Sequence, residues 1–336
     1  MLNKFRFLTA GESHGKCLTA IIDGIPANVP VDMDFINNEL SRRQQGYGRS
    51  SRMELEKDTA EITAGIHNGK TTGAPVCIVI NNKDFSEKPA FTKYRPGHAD
   101  YAGSIKYNLS DLRDVLERSS ARKTAVEVAV GAFAKTILKE FNIFVESHIL
   151  QIGQATENFE QETDKAKASG DSLGGKFEIT VKNLPVGLGS YVQWDRALDG
   201  KLAQAVMSIG AVKAVEIGNN PLGKPGSQYH DEIFIKDNKV FRKTNNAGGI
   251  EGGMTNGEDL VIRAVMKPIP TMVKPLKTID KQTLEECEAH FERSDTCAVE
   301  ACAVVAEART ACILADEFLQ KFGGDSLEEI KRHYKE

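Results

Sequence analysis

Two histidines stand in glycine turns, and their setting is the first chemical signal in this chain. His14 lies in Gly11-Glu-Ser-His-Gly15 and His98 in Arg95-Pro-Gly-His-Ala-Asp-Tyr101. Neighbouring glycines leave little bulk to shield an imidazole, the side chain that titrates near neutrality. Such a group suits acid–base work on a bound ligand. His67, His148, His230, His290 and His333 lack this setting and read as structural residues, the last two exposed.

Arginine is concentrated in two places. Arg42-Arg43-Gln-Gln-Gly-Tyr-Gly-Arg49-Ser-Ser-Arg52 carries four arginines and no acid, on a loop bent by Gly46 and Gly48. Arginine keeps its charge at any working pH and meets phosphate or carboxylate with a planar fork. An anion site and a solvated basic loop both remain open. In Glu117-Arg-Ser-Ser-Ala-Arg-Lys-Thr124, Ser119 or Ser120 is a natural N-cap for the helix that Glu117 opens. Arg118, Arg122 and Lys123 crowd that end, where exposed cations oppose the helix dipole at roughly 0.3–1 kcal/mol each. An anion bound on the helix N-terminus would remove the conflict; a tolerated surface cluster is the equal alternative. Arg293-Ser-Asp295 precedes the last long helical pattern, and Asp295 on its own reads as an N-cap. Gly248-Gly-Ile-Glu-Gly-Gly253 lacks the Lys-Ser/Thr of a P-loop and the spacing of a dinucleotide fold, which disfavours both classes.

The elements that must hold these residues are of both kinds. Short β-branched runs at Val76–Ile80, Phe177–Val181, Glu232–Ile235 and Leu260–Val265 read as strands. Helical periodicity is clearest at Ser120–Phe141, Arg196–Ile209 and Thr296–Phe322. No regular β-α-β alternation appears, so the fold class is α+β rather than a doubly wound sheet. Polar residues and glycines dominate Gln154 to Lys176, which reads as a surface insertion in one large domain over 1–336. Glu-Arg-Ser opens two helical patterns, at Glu117 and at Glu292; internal duplication and chance account for this equally well.

Composition bounds the rest. With 40% apolar and 27% charged residues among 336, the chain falls among globular enzymes. A net charge of −4 gives no reason to expect nucleic acid or an acidic membrane as partner. The six cysteines form no C-x-x-C pair, so no metal site is expected; Cys297, Cys302 and Cys312 read as small core residues. No signal-peptide pattern opens the chain, and the most apolar stretch, Ala298–Ala308, contains Glu300 and Glu307. A reduced, cytoplasmic setting is the expectation.

Taken together, six segments resemble the chorismate synthase family, in its monofunctional bacterial form, in order along most of the chain. They are Gly11–Pro26, Arg95–Tyr101, Glu117–Thr124, Asn246-Ala-Gly-Gly-Ile250, Lys267-Pro-Ile-Pro-Thr271 and Arg293-Ser-Asp-Thr-Cys297. Gln44-Gln45 departs from the Arg-Pro common in the family's basic loop, and Glu300-Ala301 stands where a proline is common. The resemblance implies a helical layer sandwiched between antiparallel β-sheets, assembled as a homotetramer. It implies anti-1,4-elimination of phosphate from 5-enolpyruvylshikimate-3-phosphate (EPSP) to give chorismate, with reduced FMN as cofactor and no net redox change. By motif match His14 helps protonate the leaving phosphate, His98 stands by the flavin's pyrimidine edge, and Asp295 serves in removing the ring hydrogen. Ser13 and Ser120 are hydrogen-bonding partners in the same site. Arg118, Ser119, Ser120, Asn246, Ala247, Lys267, Pro268, Ile269, Pro270, Thr271 and Arg293 match flavin-contacting positions. Arg42, Arg43, Arg49, Arg52 and Arg122 are the expected cations for the substrate's phosphate and carboxylates. With no added segment for a flavin reductase, reduced flavin is expected from an external one.

Overall fold

The computed structural model describes residues 2–50, 56–292 and 294–335. Arg52 and Arg293 lie outside the described residues. Two four-stranded sheets come from apolar residues at every second position, the spacing that gives a strand one buried face. The first contains β1 (Arg6–Ala10), β2 (Cys17–Asp23), β3 (Glu61–Ala64) and β4 (Val76–Asn81) in the order β1-β2-β4-β3. The second contains β5 (Phe144–Ile152), β6 (Gly175–Lys182), β7 (Val212–Ile217) and β8 (Leu260–Met266) in the order β5-β6-β8-β7. All neighbours are antiparallel. Leu18, Ala20 and Ile22 of β2 turn inward, as do Phe177, Ile179 and Val181 of β6.

Among the described residues, eight helices of seven or more residues complete the frame: α1 (Met33–Gln44), α2 (Asp100–Lys106), α3 (Leu112–Ser119), α4 (Thr124–Lys139), α5 (Phe159–Ala168), α6 (Leu198–Met207), α7 (Val299–Phe322) and α8 (Leu327–Lys335). The central pair is α4 and α7. Helix α4 also lies on β2 and β4, and α7 on β5 and β6, so the helices form a layer between the two sheets. The α+β sandwich expected from sequence is the architecture found. One continuous buried apolar cluster runs through it from Phe5 to Ile330.

The central helices meet at a point where only glycine fits. A Cβ on Gly131 would lie 2.3 Å from Ala308 Cβ and 2.5 Å from its Cα. Elsewhere α7 buries acids, each with a partner, because an unpaired buried charge is strongly destabilising. Glu307 receives Arg42 and Lys135, Glu317 receives Lys201, and Asp316 Oδ1 accepts the backbone N–H groups of Asn3, Lys4 and Phe5.

Two local readings change. Glu117-Arg118-Ser119 closes α3 instead of opening a helix: Ser120, at ψ 145°, breaks the chain direction, a 3₁₀ turn follows over Ala121–Lys123, and α4 begins at Thr124. In the second Glu-Arg-Ser, Glu292 and Ser294 lie in non-helical backbone ahead of α7, so the two segments are not equivalent starts. Segment 154–176, read from sequence as an insertion, contains α5, whose Phe159, Thr163 and Ala166 share one face and whose Thr163 and Ala166 are buried.

Gly131→Ala should lower stability. Overpacking costs about 1–3 kcal/mol, against roughly 0.5–1 kcal/mol regained from helix propensity. Urea unfolding should show a reduced midpoint; an equal or raised midpoint would mean that the α4–α7 crossing opens to admit a methyl.

Candidate active site

The turn between β1 and β2 carries Ser13 and His14. Ser13 is buried, and its N–H donates to Glu117 O at 3.0 Å. His14 is held by Glu117, whose Oε1 lies 2.8 Å from Nδ1 and whose Oε2 accepts the His14 backbone N–H at 2.6 Å. Arg118 braces the same turn, donating to Thr9 O at 2.9 Å and Gly11 O at 3.0 Å. Ser119 Oγ donates to Val115 O at 2.6 Å, and Ser120 Oγ accepts Arg122 N–H at 3.3 Å. Arg118 and Ser119 are thus committed to backbone, and the one cap in the segment is Ser120.

Of the two readings of this basic cluster, a bound anion or a surface cluster, neither describes Arg122, which is buried and turned inward. The break at Ser120 aims its guanidinium away from the helix axis and into a buried acid pair. Arg122 Nη1 meets both oxygens of Asp58 at 2.7 and 2.8 Å, Nη2 stands 3.5 Å from Glu56, and Nε donates to Asn82 Oδ1 at 2.8 Å. Asn82 then donates to the carbonyls of Glu12 (3.1 Å) and Gly15 (2.7 Å), which joins the arginine to the His14 turn.

Arg43 and Arg49 complete the group. Arg43 Nη1 lies 3.6 Å from Asp58, and its other nitrogens donate to Thr124 Oγ1 and Ala121 O, both at 2.9 Å. Burial pushes the Arg43 guanidinium down to about 10 against the pull of Asp58, with Arg49 and Arg122 adding to the fall, so it remains charged at neutral pH. Arg49 Nε lies 2.9 Å from Asp295 Oδ2, and Ser50 N–H donates to the other Asp295 oxygen at 2.6 Å. Asp295 is therefore a partner of the basic loop and not the cap of α7, whose cap position, Ala298, has no side-chain hydrogen bond. Arg42 departs from the set: it faces Glu39 and Glu307 at 2.7 Å each, on the core side of α1. Successive residues on a helix point about 100° apart, so Arg42 and Arg43 could not both enter the cleft.

Glycine is required where the basic loop folds back. Gly46 (φ +116°) and Gly48 (φ +82°) leave room for Glu300 and Thr163; a Cβ would stand 2.2 Å from Glu300 Oε2 and 2.5 Å from Thr163 Cγ2, respectively. Helix α5 thus backs the loop, and Tyr47 donates to its Asp164 at 2.9 Å. Gln44, a departure from the family pattern, clasps the acid-bearing segment through Glu56 O (2.5 Å) and Asp58 N–H (2.9 Å).

His98 stands on the turn that leads into α2. Its Nδ1 lies 3.0 Å from Asp100 Oδ1 and 3.0 Å from Arg95 Nη2. Burial alone would raise the Asp100 carboxyl, but Arg95 and His98 hold it well below the usual carboxylate range. The Lys267–Thr271 loop packs on this turn: Lys267 Nζ donates to Gly97 O, and a Gly97 Cβ would sit 3.6 Å from Pro270. Burial, then Lys213, lowers Lys267. Ile269 O and Thr271 O accept Ser172 and Ser294, both at 2.6 Å, which places the loop beside Asp295. Asn246 and Ala247 are anchored elsewhere, their N–H groups donating to Asp231 at 2.8 and 2.9 Å. Sequence reasoning missed Glu117, Asp58, Glu56 and Asn82. Glu117 had a signal, since it sits inside a motif already singled out; the others had none.

His14 is joined through Asn82 to Arg122 and its cluster of buried arginines, and such a concentration of desolvated cations suits an enzyme for a polyanionic small molecule. Residues 5–319 match the family model described as chorismate synthase. The chain is 56% identical over 342 residues to a chorismate synthase of Thermoanaerobacter pseudethanolicus (98% of this chain, 97% of the relative), and 48% identical over 391 residues to that of Aquifex aeolicus (100% and 98%). A solved structure titled "Crystal Structure of Chorismate Synthase" superposes with a TM-score of 0.83 at 42% identity, covering 100% of this chain and 97% of that one. The chain belongs to the chorismate synthase family, carbon–oxygen lyases of the shikimate pathway that release phosphate from EPSP to form chorismate.

Acid should loosen this site. Asp100 and Glu117 both titrate lower folded than unfolded, so their contribution is present above the ordinary carboxylate value and lost as pH falls below it. Unfolding free energy should decline from about pH 5 downward, and Asp100→Asn should flatten that decline. A slope unchanged by Asp100→Asn would contradict the assignment.

Proposed function

We propose that the cleft between the His14 turn and the His98 turn is where EPSP and reduced FMN bind together. The observation that supports this best is Asn82, which ties the Arg122 guanidinium to the carbonyls of the His14 turn and so builds cation and histidine as one unit. Arg43, Arg49 and Arg122 would receive the substrate's phosphate and carboxylates. Arg43 Nη1 and Arg122 Nη2 are buried and, among the described residues, have no hydrogen-bond acceptor in range, only acids at 3.5–3.6 Å. Buried donors in that condition favour an anion that completes them.

The residues present fit reduced FMN. Lys267 is half-buried, lies close enough to Lys213 to feel its charge, and donates to a carbonyl, a setting that suits an anionic group. Lys267, Pro268, Ile269, Pro270 and Thr271, with Ser120, would hold the flavin; Arg118 and Ser119, committed to the protein's own backbone, shape that wall. When bound, reduced flavin supplies electron density that assists cleavage of the C–O bond without net redox change. His14 gives a proton to the departing phosphate, and His98 steadies the flavin's polar edge. Asp295 accepts the ring hydrogen as a proton once the substrate takes its place on Arg49.

The enzyme works in the cytoplasm with reduced flavin from a separate reductase, as a homotetramer. Support for assembly is the apolar outer face of the first sheet, where Leu8 pairs with Ile21 and both are exposed, and the exposed Ile233–Arg242 hairpin.

The decisive assay is anaerobic, with chemically reduced FMN, EPSP and an oxidised-flavin control. Chorismate and phosphate should form in equal amounts only with reduced flavin. His14→Ala should lower turnover about 100-fold or more while leaving FMN affinity intact; parallel loss of FMN binding would refute its role. Arg49→Ala should raise KM for EPSP about 10-fold or more; a wild-type KM would leave the basic loop out of substrate binding.

A further inference from the structure

Glu117 spends its side chain on one residue. It lies in the last turn of α3 with its carboxylate 12% exposed, one oxygen 2.8 Å from His14 Nδ1 and the other accepting the His14 N–H at 2.6 Å. Behind it, Arg113 stands one helical turn back, 3.9 Å from the carboxylate. Arg113 is itself fixed: it donates to Glu292 at 2.8 Å and to Pro89 O, and lies over the Phe91 ring at 5.0 Å. His290, expected exposed, is stacked on that ring and lies 3.0 Å from Glu292. Burial would raise Glu117, but His14, through its side chain and its N–H, and then Arg113 hold it low, so it is ionised wherever the enzyme works.

An ionised carboxylate only accepts, so the nitrogen facing it must carry a hydrogen. His14 therefore keeps its Nδ1 proton in both charge states, and the proton it exchanges sits on Nε2. That edge lies 3.8 Å from Asp84 Oδ2, whose backbone N–H donates to Glu56 of the arginine cluster and whose carboxylate pairs with Lys88 at 3.1 Å. His98 shows the contrast. Its Nδ1 faces both an acceptor, Asp100, and a donor, Arg95, so its carboxylate neighbour does not decide the tautomer. We infer that Glu117 is a positioning residue that fixes His14 as the Nδ1–H tautomer, leaving Nε2 alone to deliver a proton to the leaving phosphate. The inference rests on the role proposed above for His14.

The test needs ¹⁵N-histidine-labelled protein, with the His14 signals assigned by their loss in His14→Gln. Above the imidazole range, at about pH 8, wild-type His14 should show a protonated Nδ1 and a bare Nε2. In Glu117→Gln the amide can both give and accept, so the two tautomers should mix. Turnover should fall about 10- to 100-fold, with KM for EPSP and FMN affinity within about twofold of wild type; Glu117→Asp should restore part of the loss. A wild-type His14 protonated on Nε2 overturns the inference without any variant. So does a Glu117→Gln enzyme that keeps wild-type turnover, or one that loses turnover with the tautomer unmoved, since either makes Glu117 only a support of the turn. His14→Ala at full turnover would instead sink the role of His14, while the spectrum still reports what Glu117 holds.

Discussion

Arg43, Arg49 and Arg122 lie in one cleft with side chains 5%, 10% and 3% exposed. Removing a charge from water costs several kcal/mol even after relaxation, and like charges at close range add to that. The cluster therefore depends on Asp58, Glu56 and Asp295: Asp295 faces Arg49, while Asp58 and Glu56 face Arg122 and Asp58 also stands near Arg43. Most of the local structure follows from delivering those acids. Gln44 clasps residues 56–58 from the end of α1, and the segment ahead of α7 supplies Asp295. The break at Ser120 turns Arg122 inward, and Asn82, just past β4, accepts its Nε–H. Elements distant in sequence are tied together because the cations must be neutralised before any ligand arrives.

Neutrality without ligand does not mean satisfaction. The Asp58 bond to Arg122 is short and bidentate, whereas Glu56 to Arg122 and Asp58 to Arg43 remain at 3.5 and 3.6 Å. The acids cancel the charge but leave donors incomplete, which keeps the fold stable and the cleft receptive. A second ion cluster, Glu39, Arg42, Lys135 and Glu307, lies beneath it in the helical layer. Consecutive arginines on α1 divide the work: Arg42 pins the helix to α7 through Glu307, and that pinning sets where Arg43 points.

The sandwich was legible because it rests on periodicity. Alternation in β2, β4, β6 and β8 and the long apolar runs of α4 and α7 are properties of composition at fixed spacing. Helix α5 was not, because its buried face is Phe159, Thr163 and Ala166, a stripe with one strongly apolar member. The break at Ser120 is a single ψ angle, which a residue type does not encode. Among the arginines, sequence could name the charges but not their directions, and so Arg42 was grouped with residues it does not meet. Glycine turns pointed to His14 and His98, since a turn signal survives in sequence; Asp100 stands two residues from His98 in the same motif, whereas Glu117 meets His14 only because the end of α3 arrives there.

A carboxylate paired with a guanidinium is a poor proton acceptor, and this is the tension that the proposed chemistry must resolve. Asp295 is bound to Arg49 and to Ser50 N–H, so both of its oxygens are already engaged before any substrate is present. An arriving phosphate or carboxylate competes for the same guanidinium. Exchanging one anion for another on Arg49 keeps the charge balance nearly constant, so the step needs no fresh desolvation of the arginine. On the proposed assignment the released carboxylate would then be free to turn toward the substrate. Substrate arrival and release of the base would be one event, and the resting ion pair would keep Asp295 engaged until the substrate is in place.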